Sequence, residues 1–349
     1  MKLADFKYNT QSKPLVSICV TTYNHEKYIE EAIESFLMQE VDFEVEVVIH
    51  DDASTDKTQT IIKRYHKKYP GLFKLLLQTE NQRSKYGGGM QPRFNYPRAK
   101  GKYIALCEGD DYWTDRLKLQ KQVDFLENNP DYILSAHCVK YFYEAKNTYG
   151  IDAHKDGNFS AIDIATKVPF QTVSVVFKKI SRLNSLPSWY FQVPLGDWML
   201  YTFLLQFGKA NKMSEVMSVY RIHSAGVWSG QASNKNSKML KSAFVMKDKF
   251  STEINNKLHQ TFLRFFMQSY TGFINTNDFE GANKLVADYD SHLPQEYLAL
   301  FNSIKRYALK VNLELEQKNG LIDELFSSWS YRIGNKFVGI FGFFKNKKN

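Results

Sequence analysis

Cysteine is scarce in this chain, with three in 349 residues, and Cys19, Cys107 and Cys138 lie far apart without paired spacing. That excludes a zinc motif and a disulfide framework and suits a reducing cytoplasm. Cys19 and Cys107 fall inside apolar runs and read as buried small hydrophobes. No apolar stretch is long enough to span a bilayer, and the opening MKLADFKYNT has no apolar core of a secretory signal. The expectation is a cytoplasmic protein, soluble or attached to the inner face of the membrane. Acidic residues are outnumbered, 37 against 46 Lys and Arg, for a formal charge of +9. Such a balance can attract nucleic acid, anionic lipid or phosphorylated substrates, and charge alone does not choose among them. What is plentiful is apolar and aromatic material, 43% and 15% of residues. That is ample for a packed core, and aromatics also line sugar sites.

The first part of the chain alternates short apolar runs with helical periodicity. Strands are expected at residues 15–20, 45–49, 73–77 and 103–107, and helices at 26–39 and 57–68, with a shorter helical stretch at 94–100. Further strands are expected at 132–143, 172–177 and 217–222, and a helix at 196–207. Strands alternating with helices imply a mostly parallel sheet, in which ligands bind beyond the carboxyl ends of the strands. Two carboxylate pairs, Asp51-Asp52 and Asp110-Asp111, fall at such ends. After residue 230 only helical periodicity remains, around 238–250, 254–273, 279–289 and 295–316. The expected division is a catalytic domain at 1–230, a helical region at 231–320 and a basic amphipathic tail at 321–349.

Adjacent carboxylates at a strand end repel each other and call for a compensating charge. A divalent cation on a diphosphate would supply one, because hard oxygen ligands suit Mg2+ or Mn2+. A solvated turn with a helix cap is the plain alternative. Asp197, at the start of the helix expected at 196–207, can likewise be a first-turn residue that complements the helix dipole.

Three ordered stretches resemble the family 2 glycosyltransferases of the GT-A fold. They are Val16-Ser17-Ile18-Cys19-Val20-Thr21-Thr22-Tyr23-Asn24, then Asp51-Asp52-Ala53-Ser54-Thr55-Asp56, then Gly101-Lys102-Tyr103-Ile104 leading to Asp110-Asp111. The resemblance covers about residues 14–230. It implies a Rossmann-like mixed sheet flanked by helices, here followed by the α-helical C-terminal region. It implies that Thr21 and Tyr23 meet the nucleobase and ribose, that Asp52 accepts a hydrogen bond from the base, and that Asp51 supports that loop. Asp111 would bind Mn2+ or Mg2+, and Asp110 would bind ribose or assist the metal. Glu108 stands where the family often has Asp. Arg93 and Asn95 occupy the stretch where the family often has a donor-binding Arg or Asn, but a glycine-rich loop, Gly87-Gly88-Gly89, lengthens the spacing. Asp197 matches the position of the catalytic base, although Gly196 replaces the Glu often found before it. Tyr220-Arg221-Ile222-His223 resembles the closing motif whose His reaches metal or diphosphate.

The implied activity is inverting transfer of a sugar from a nucleotide-diphosphate donor, UDP-linked by preference, to a sugar or lipid-linked glycan acceptor. Its setting would be cell-surface polysaccharide, lipopolysaccharide or glycoconjugate synthesis. Nucleic acid is not an expected partner, and a homo-oligomer stays open. Two rivals are a sugar-phosphate nucleotidyltransferase and a non-catalytic nucleotide or sugar-binding protein. The first should carry a glycine-rich, Arg-containing loop after the first strand, where Thr-Thr-Tyr-Asn stands; the second has no need of Asp111, Asp197 and His223 together. In the tail, apolar residues from Leu321 to Phe344 recur near helical spacing beside lysines, which suits either a helix at a bilayer interface or packing on protein.

Overall fold

The computed structural model describes residues 1–5, 13–152, 156–224, 226, 235–276 and 278–315. The tail expected at 321–349 therefore lies outside the described residues. The chain divides into two units, Met1–Thr261 and Phe262–Asn349.

Ten strands of the first unit form one sheet: β1 (Val16–Thr22), β2 (Val45–Asp51), β3 (Phe73–Leu77), β4 (Tyr103–Glu108), β5 (Tyr112–Trp113), β6 (Tyr132–Tyr143), β7 (Thr148–Ile151), β8 (Gly157–Phe159), β9 (Val176–Lys178) and β10 (Lys209–Ile222). The order is β3-β2-β1-β4-β9-β6-β10-β5, with β7 on β6 and β8 on β10. The first four members run parallel. Their near-continuous Val, Ile and Leu content follows from burial on both faces, and β2 is buried at every position. Helices α1 (Ile29–Leu37), α2 (Thr58–Lys68), α3 (Gln82–Tyr86) and α4 (Lys118–Asn128) connect these strands and the start of the second half. From α1, Ile29, Ala32, Ile33 and Phe36 join Val16, Ile18, Val47 and Ile49 in the core, at the helical spacing the sequence shows.

The other half departs from a parallel sheet, because β9 pairs antiparallel with both β4 and β6. The strand expected at 172–177 is a short turn at Thr172–Ser174 followed by β9. The strand expected at 217–222 is the end of the fourteen-residue β10. Its earlier part, Lys-Ala-Asn-Lys-Met-Ser-Glu, is too polar to read as a strand, but pairing with β6 and β8 recruits it. A buried ion pair, Lys212 Nζ to Asp152 Oδ2 at 2.7 Å, helps hold it there. The helix expected at 94–100 is a five-residue π-helical turn, Gln91–Asn95.

Helices α5 (Ala161–Ile164), α6 (Gly196–Leu204) and α7 (Lys235–Met246) complete the described part of the first unit with the start of α8 (Thr252–Asn275). α7 was expected in the separate helical region, yet it lies within the first unit. Its Leu240, Ala243 and Met246 are buried, and Ser242 Oγ accepts the Leu195 amide at 3.2 Å. The second unit holds the rest of α8, α9 (Phe279–Tyr289) and α10 (Gln295–Leu315), with Phe266 and Tyr270 packed on Phe301.

Candidate active site

The carboxyl ends of β1, β2 and β4 lie side by side, and their loops are tied to one another by hydrogen bonds. Asn24 adopts φ 55°, which Asn tolerates better than most residues. Its Oδ1 accepts the Thr55 amide at 2.8 Å, and its own amide donates to Ser54 Oγ at 2.9 Å. Glu26 and Asp56 complete the knot, since Lys57 N donates to Glu26 Oε2 and Glu26 N to Asp56 Oδ2, both at 3.0 Å. The Thr-Thr-Tyr-Asn and Asp-Asp-Ala-Ser-Thr-Asp stretches thus build one surface. Thr21 is half-buried there, while Tyr23 is 44% exposed, leaving its ring accessible.

Asp51 is fully buried and accepts the Ser54 amide at 3.0 Å and Gln59 Nε2 at 2.7 Å. It ties the loop after β2 to the start of α2. Asp52 is buried as well, and its two oxygens accept the amides of Gln82 and Arg83 at 2.6 and 3.0 Å. The carboxylate expected to meet a base holds the start of α3. Asn95 departs further from expectation. It is fully buried, and its Nδ2 donates to the Val20 carbonyl and Gln91 Oε1, both at 2.9 Å. Its amide shapes the exit of β1 and presents no accessible face to a ligand. Arg93 is half-buried and lies over the rings of Tyr86 and Phe191 at 4.6 and 4.0 Å.

At the end of β4, Gly109 allows the next turn to sit on β1. A Cβ there would stand 2.8 Å from Thr22 Oγ1 and 2.9 Å from His25 Nδ1, and the Gly109 amide donates to the Thr21 carbonyl at 2.9 Å. The turn then enters β5, which pairs with β10 and is anchored by Trp113, whose Nε1 donates to the Val173 carbonyl at 3.0 Å. Asp110 meets His223 Nε2 at 3.0 Å, and His25 Nε2 stands 3.8 Å from the same oxygen. Burial pushes the Asp110 carboxyl up, but the His223 hydrogen bond and the charge near His25 outweigh it and hold it below the usual range. Asp111 is 2% exposed and accepts the Arg221 amide at 2.8 Å. Burial first, and Asp110 second, push its pKa well above that of an ordinary carboxylate. His223, expected to reach metal or diphosphate, meets Asp110 here. Among the described residues, no three His, Cys, Asp or Glu side chains form a ready-made cation cage.

Asp197 lies in the first turn of α6, a helix buried from Trp198 to Leu204. Ser242 holds Leu195 from one side, and Trp198 Nε1 donates to the Ile164 carbonyl at 2.8 Å on the other. Asp197 Oδ1 accepts the Trp198 amide at 2.7 Å, so the plain helix-turn role is present. The residue nevertheless keeps an open face to solvent, while protein surrounds its other sides and raises its pKa by desolvation. Glu108, half-buried at the end of β4, lies within the electrostatic reach of Asp197. Burial, then Asp110, then Asp197 push its pKa up to about 8, with Arg83 opposing them. Carboxylates from the ends of β4 and α6, some 90 positions apart in the sequence, therefore share one electrostatic field.

Sequence reasoning passed over His25 and Glu31, and it quoted Arg221 in the closing motif without giving it a role. Arg221 donates from Nη1 to the Asp110 carbonyl at 2.6 Å, pairs through Nη2 with Glu31, and lies over the rings of Tyr28 and Tyr112. Position offered some signal for His25, a titratable side chain just past a strand exit. Nothing in local sequence indicates that Glu31 would meet Arg221.

Residues 17–182 match the model of Glycosyl transferase family 2. This stretch of the chain belongs to that family. Over 224 residues the chain is 37% identical to an uncharacterized protein of Mycobacterium tuberculosis, which covers 61% of this chain and 60% of that protein. The chain thus spans less than two thirds of that relative's length. WfaP of Escherichia coli, a UDP-Glc:alpha-D-GlcNAc-diphosphoundecaprenol beta-1,3-glucosyltransferase, is 26% identical over 268 residues, 74% of this chain and 94% of that enzyme. Among solved structures, the mannosyltransferase PcManGT of Pyrobaculum calidifontis, in complex with GDP-Man and Mn2+, aligns with a TM-score of 0.52 at 19% identity. That alignment covers 97% of this chain and 90% of PcManGT, and at such identity it speaks to the fold, which is GT-A. No described helix is long and apolar enough to cross a membrane.

Proposed function

We propose that this protein is an inverting glycosyltransferase that moves a sugar from a nucleoside-diphosphate donor, UDP-linked by preference, to an acceptor hydroxyl during synthesis of a cell-surface glycan. The observation that carries this reading is that Asp197, open to solvent, is near enough to Glu108, which ends β4 just before Asp110, for its charge to raise the Glu108 pKa. Asp197 takes the proton of the acceptor hydroxyl as its oxygen attacks the anomeric carbon. The bond from that carbon to the diphosphate breaks on the opposite face, which inverts the centre. Desolvation makes Asp197 a stronger base than an exposed aspartate, which suits that proton transfer. Tyr23, exposed at the exit of β1, is available to stack on a base, with Thr21 beside it. Asp52 contributes by holding the start of α3 in place near that surface.

The donor set at the turn fits a divalent cation. Asp111 is buried beside Asp110 and accepts the Arg221 amide, and burial and the Asp110 charge push its pKa well up against the opposing Arg221 charge, so a cation there would be welcome. Asp111 and Asp110 would hold Mn2+ or Mg2+, with His223 fixed on Asp110. When bound, the ion would offset negative charge developing on the leaving diphosphate. The Mn2+ in the PcManGT complex and the diphosphoundecaprenol-linked acceptor in the name of WfaP support a metal and a lipid-linked acceptor. Incubation with UDP-, GDP- and dTDP-sugars in Mn2+ tests the reading. Release of nucleoside diphosphate is expected. Release of pyrophosphate from a nucleoside triphosphate and sugar phosphate would identify a nucleotidyltransferase, and binding without turnover a non-catalytic protein.

A further inference from the structure

A glycine-rich loop, Gly87–Gly89, follows α3, and the structure shows what packs on it. Its base belongs to the β1 and β2 side of the sheet. Asp52 holds α3, which ends at Gly87, and Gln91 Nε2 and Asn95 Nδ2 donate to the carbonyls of Cys19 and Val20 at 3.1 and 2.9 Å. Its tip meets a different part of the molecule. Arg93 Nε donates to the Gly88 carbonyl at 3.3 Å while the guanidinium rests on Tyr86 at 4.6 Å and on Phe191 at 4.0 Å. Gly89 has φ +72°, and a Cβ there would stand 3.0 Å from Phe191 Cδ1. Arg93 thus rests on Phe191, and Gly89 leaves no room for a side chain beside the same ring.

Phe191 belongs to the aromatic turn Ser188–Gln192, which leads into α6. Its neighbour Tyr190 is buried and packs edge-on against Phe203 of α6 at 6.0 Å. Tyr190 also lies within the field of Asp197, which adds to the effect of burial on its phenol. A continuous path thus runs from the loop through Arg93, Phe191, Tyr190 and Phe203 to the helix that carries Asp197. Elsewhere the two regions are distant in the sequence, and a planar guanidinium pinned between two rings joins them.

We propose that Arg93 is a positioning residue, a latch that couples the glycine-rich loop on the nucleotide side to the turn that sets Asp197. The coupling rests on packing and holds without ligand; its use in organising the base for a bound donor rests on the glycosyltransferase reading. Stacking needs the flat guanidinium, so a lysine should not replace it. Contact with a phosphate would need only the charge.

Hydrogen–deuterium exchange on the full chain tests the latch without any substrate. Phe191→Ala should speed exchange in the peptide covering 82–95, and Arg93→Ala should speed it in 188–197, each on the order of tenfold for loss of a desolvated cation–π contact. The double variant should do little more than either single one. Arg93→Lys should behave like Arg93→Ala. Effects confined to each variant's own segment, or full rescue by lysine, would overturn the proposal. In a second arm, UDP, GDP and dTDP are added with Mn2+. A nucleotide that protects 82–95 should also protect 188–197 in the wild type and not in Phe191→Ala; protection of 82–95 alone would count against the latch. If no nucleotide protects either peptide, the donor reading fails while the ligand-free result still decides the latch.

Discussion

Two Asp-Asp pairs end neighbouring parts of the same sheet, and they do opposite work. Asp51 and Asp52 are surrounded by donors: the Ser54 amide, Gln59, and the amides of Gln82 and Arg83. Asp111 is buried and Asp110 half-buried, with far fewer donors. Asp111 receives the Arg221 amide, and Asp110 shares two histidines. The first pair is a satisfied knot that shapes a loop. The second is a concentration of negative charge that invites a cation. Identical residue pairs at equivalent strand ends thus acquire different chemistry from the donors that the tertiary structure brings to them.

The sharpest way to test that contrast is Asp111→Asn. It keeps an acceptor for the Arg221 amide but removes the charge, so transfer should fall by roughly a thousandfold or more while Tm does not drop. A lowered Tm with activity retained would assign this pair a structural role as well. Next in size is Asp197→Asn, expected to lower kcat by about a hundredfold to a thousandfold with nucleotide affinity nearly unchanged. Loss of nucleotide binding or of folding in this variant would mean that its bond to the Trp198 amide matters more than its open face.

For the first pair the sign of the effect reverses. Asp52→Ala leaves the Gln82 and Arg83 amides without an acceptor and should cost roughly 2–3 kcal/mol in urea unfolding. If the variant instead folds with wild-type stability and loses nucleotide affinity, Asp52 is a base contact after all. The smallest expected effect is a displacement in pH. Asp197 must be ionised to accept a proton, and desolvation raises its pKa. The acid limb of kcat, which falls as the pH drops through that pKa, should therefore lie above the usual aspartate range. An acid limb at the ordinary value would place the base elsewhere.

The parallel half was largely legible because its signals are local. Residues buried on both faces of β1, β2 and β4 read as apolar runs, and the turn residues follow at once. Strand β6 matches its expected bounds, and α2 differs by one residue. The mixed half was read less well. β9 is three residues long and β8 three, too short for any period to register, and the polar first part of β10 is a strand only because β6 and β8 pair with it. Site residues divide the same way. Asp110, Asp111 and Asp197 stand out by motif and position. Arg93 and Asn95 were assigned from a stretch whose spacing the glycine loop had altered, and burial removes Asn95 from any ligand.

By itself the sequence determined which strands are buried, where the chain turns, and that carboxylates cluster at strand ends, since these depend on residues within a few positions of one another. Only the tertiary structure decided which carboxylates are satisfied and which stay open to solvent. It decided that His223 meets Asp110, that Arg221 reaches Glu31, and that Phe191 rests on Arg93. Each of these depends on a donor or ring from a distant segment, and burial converts those meetings into shifted pKa values and fixed geometry. A buried charge is governed by its nearest few ångströms, and that surrounding shell is assembled only when the chain folds.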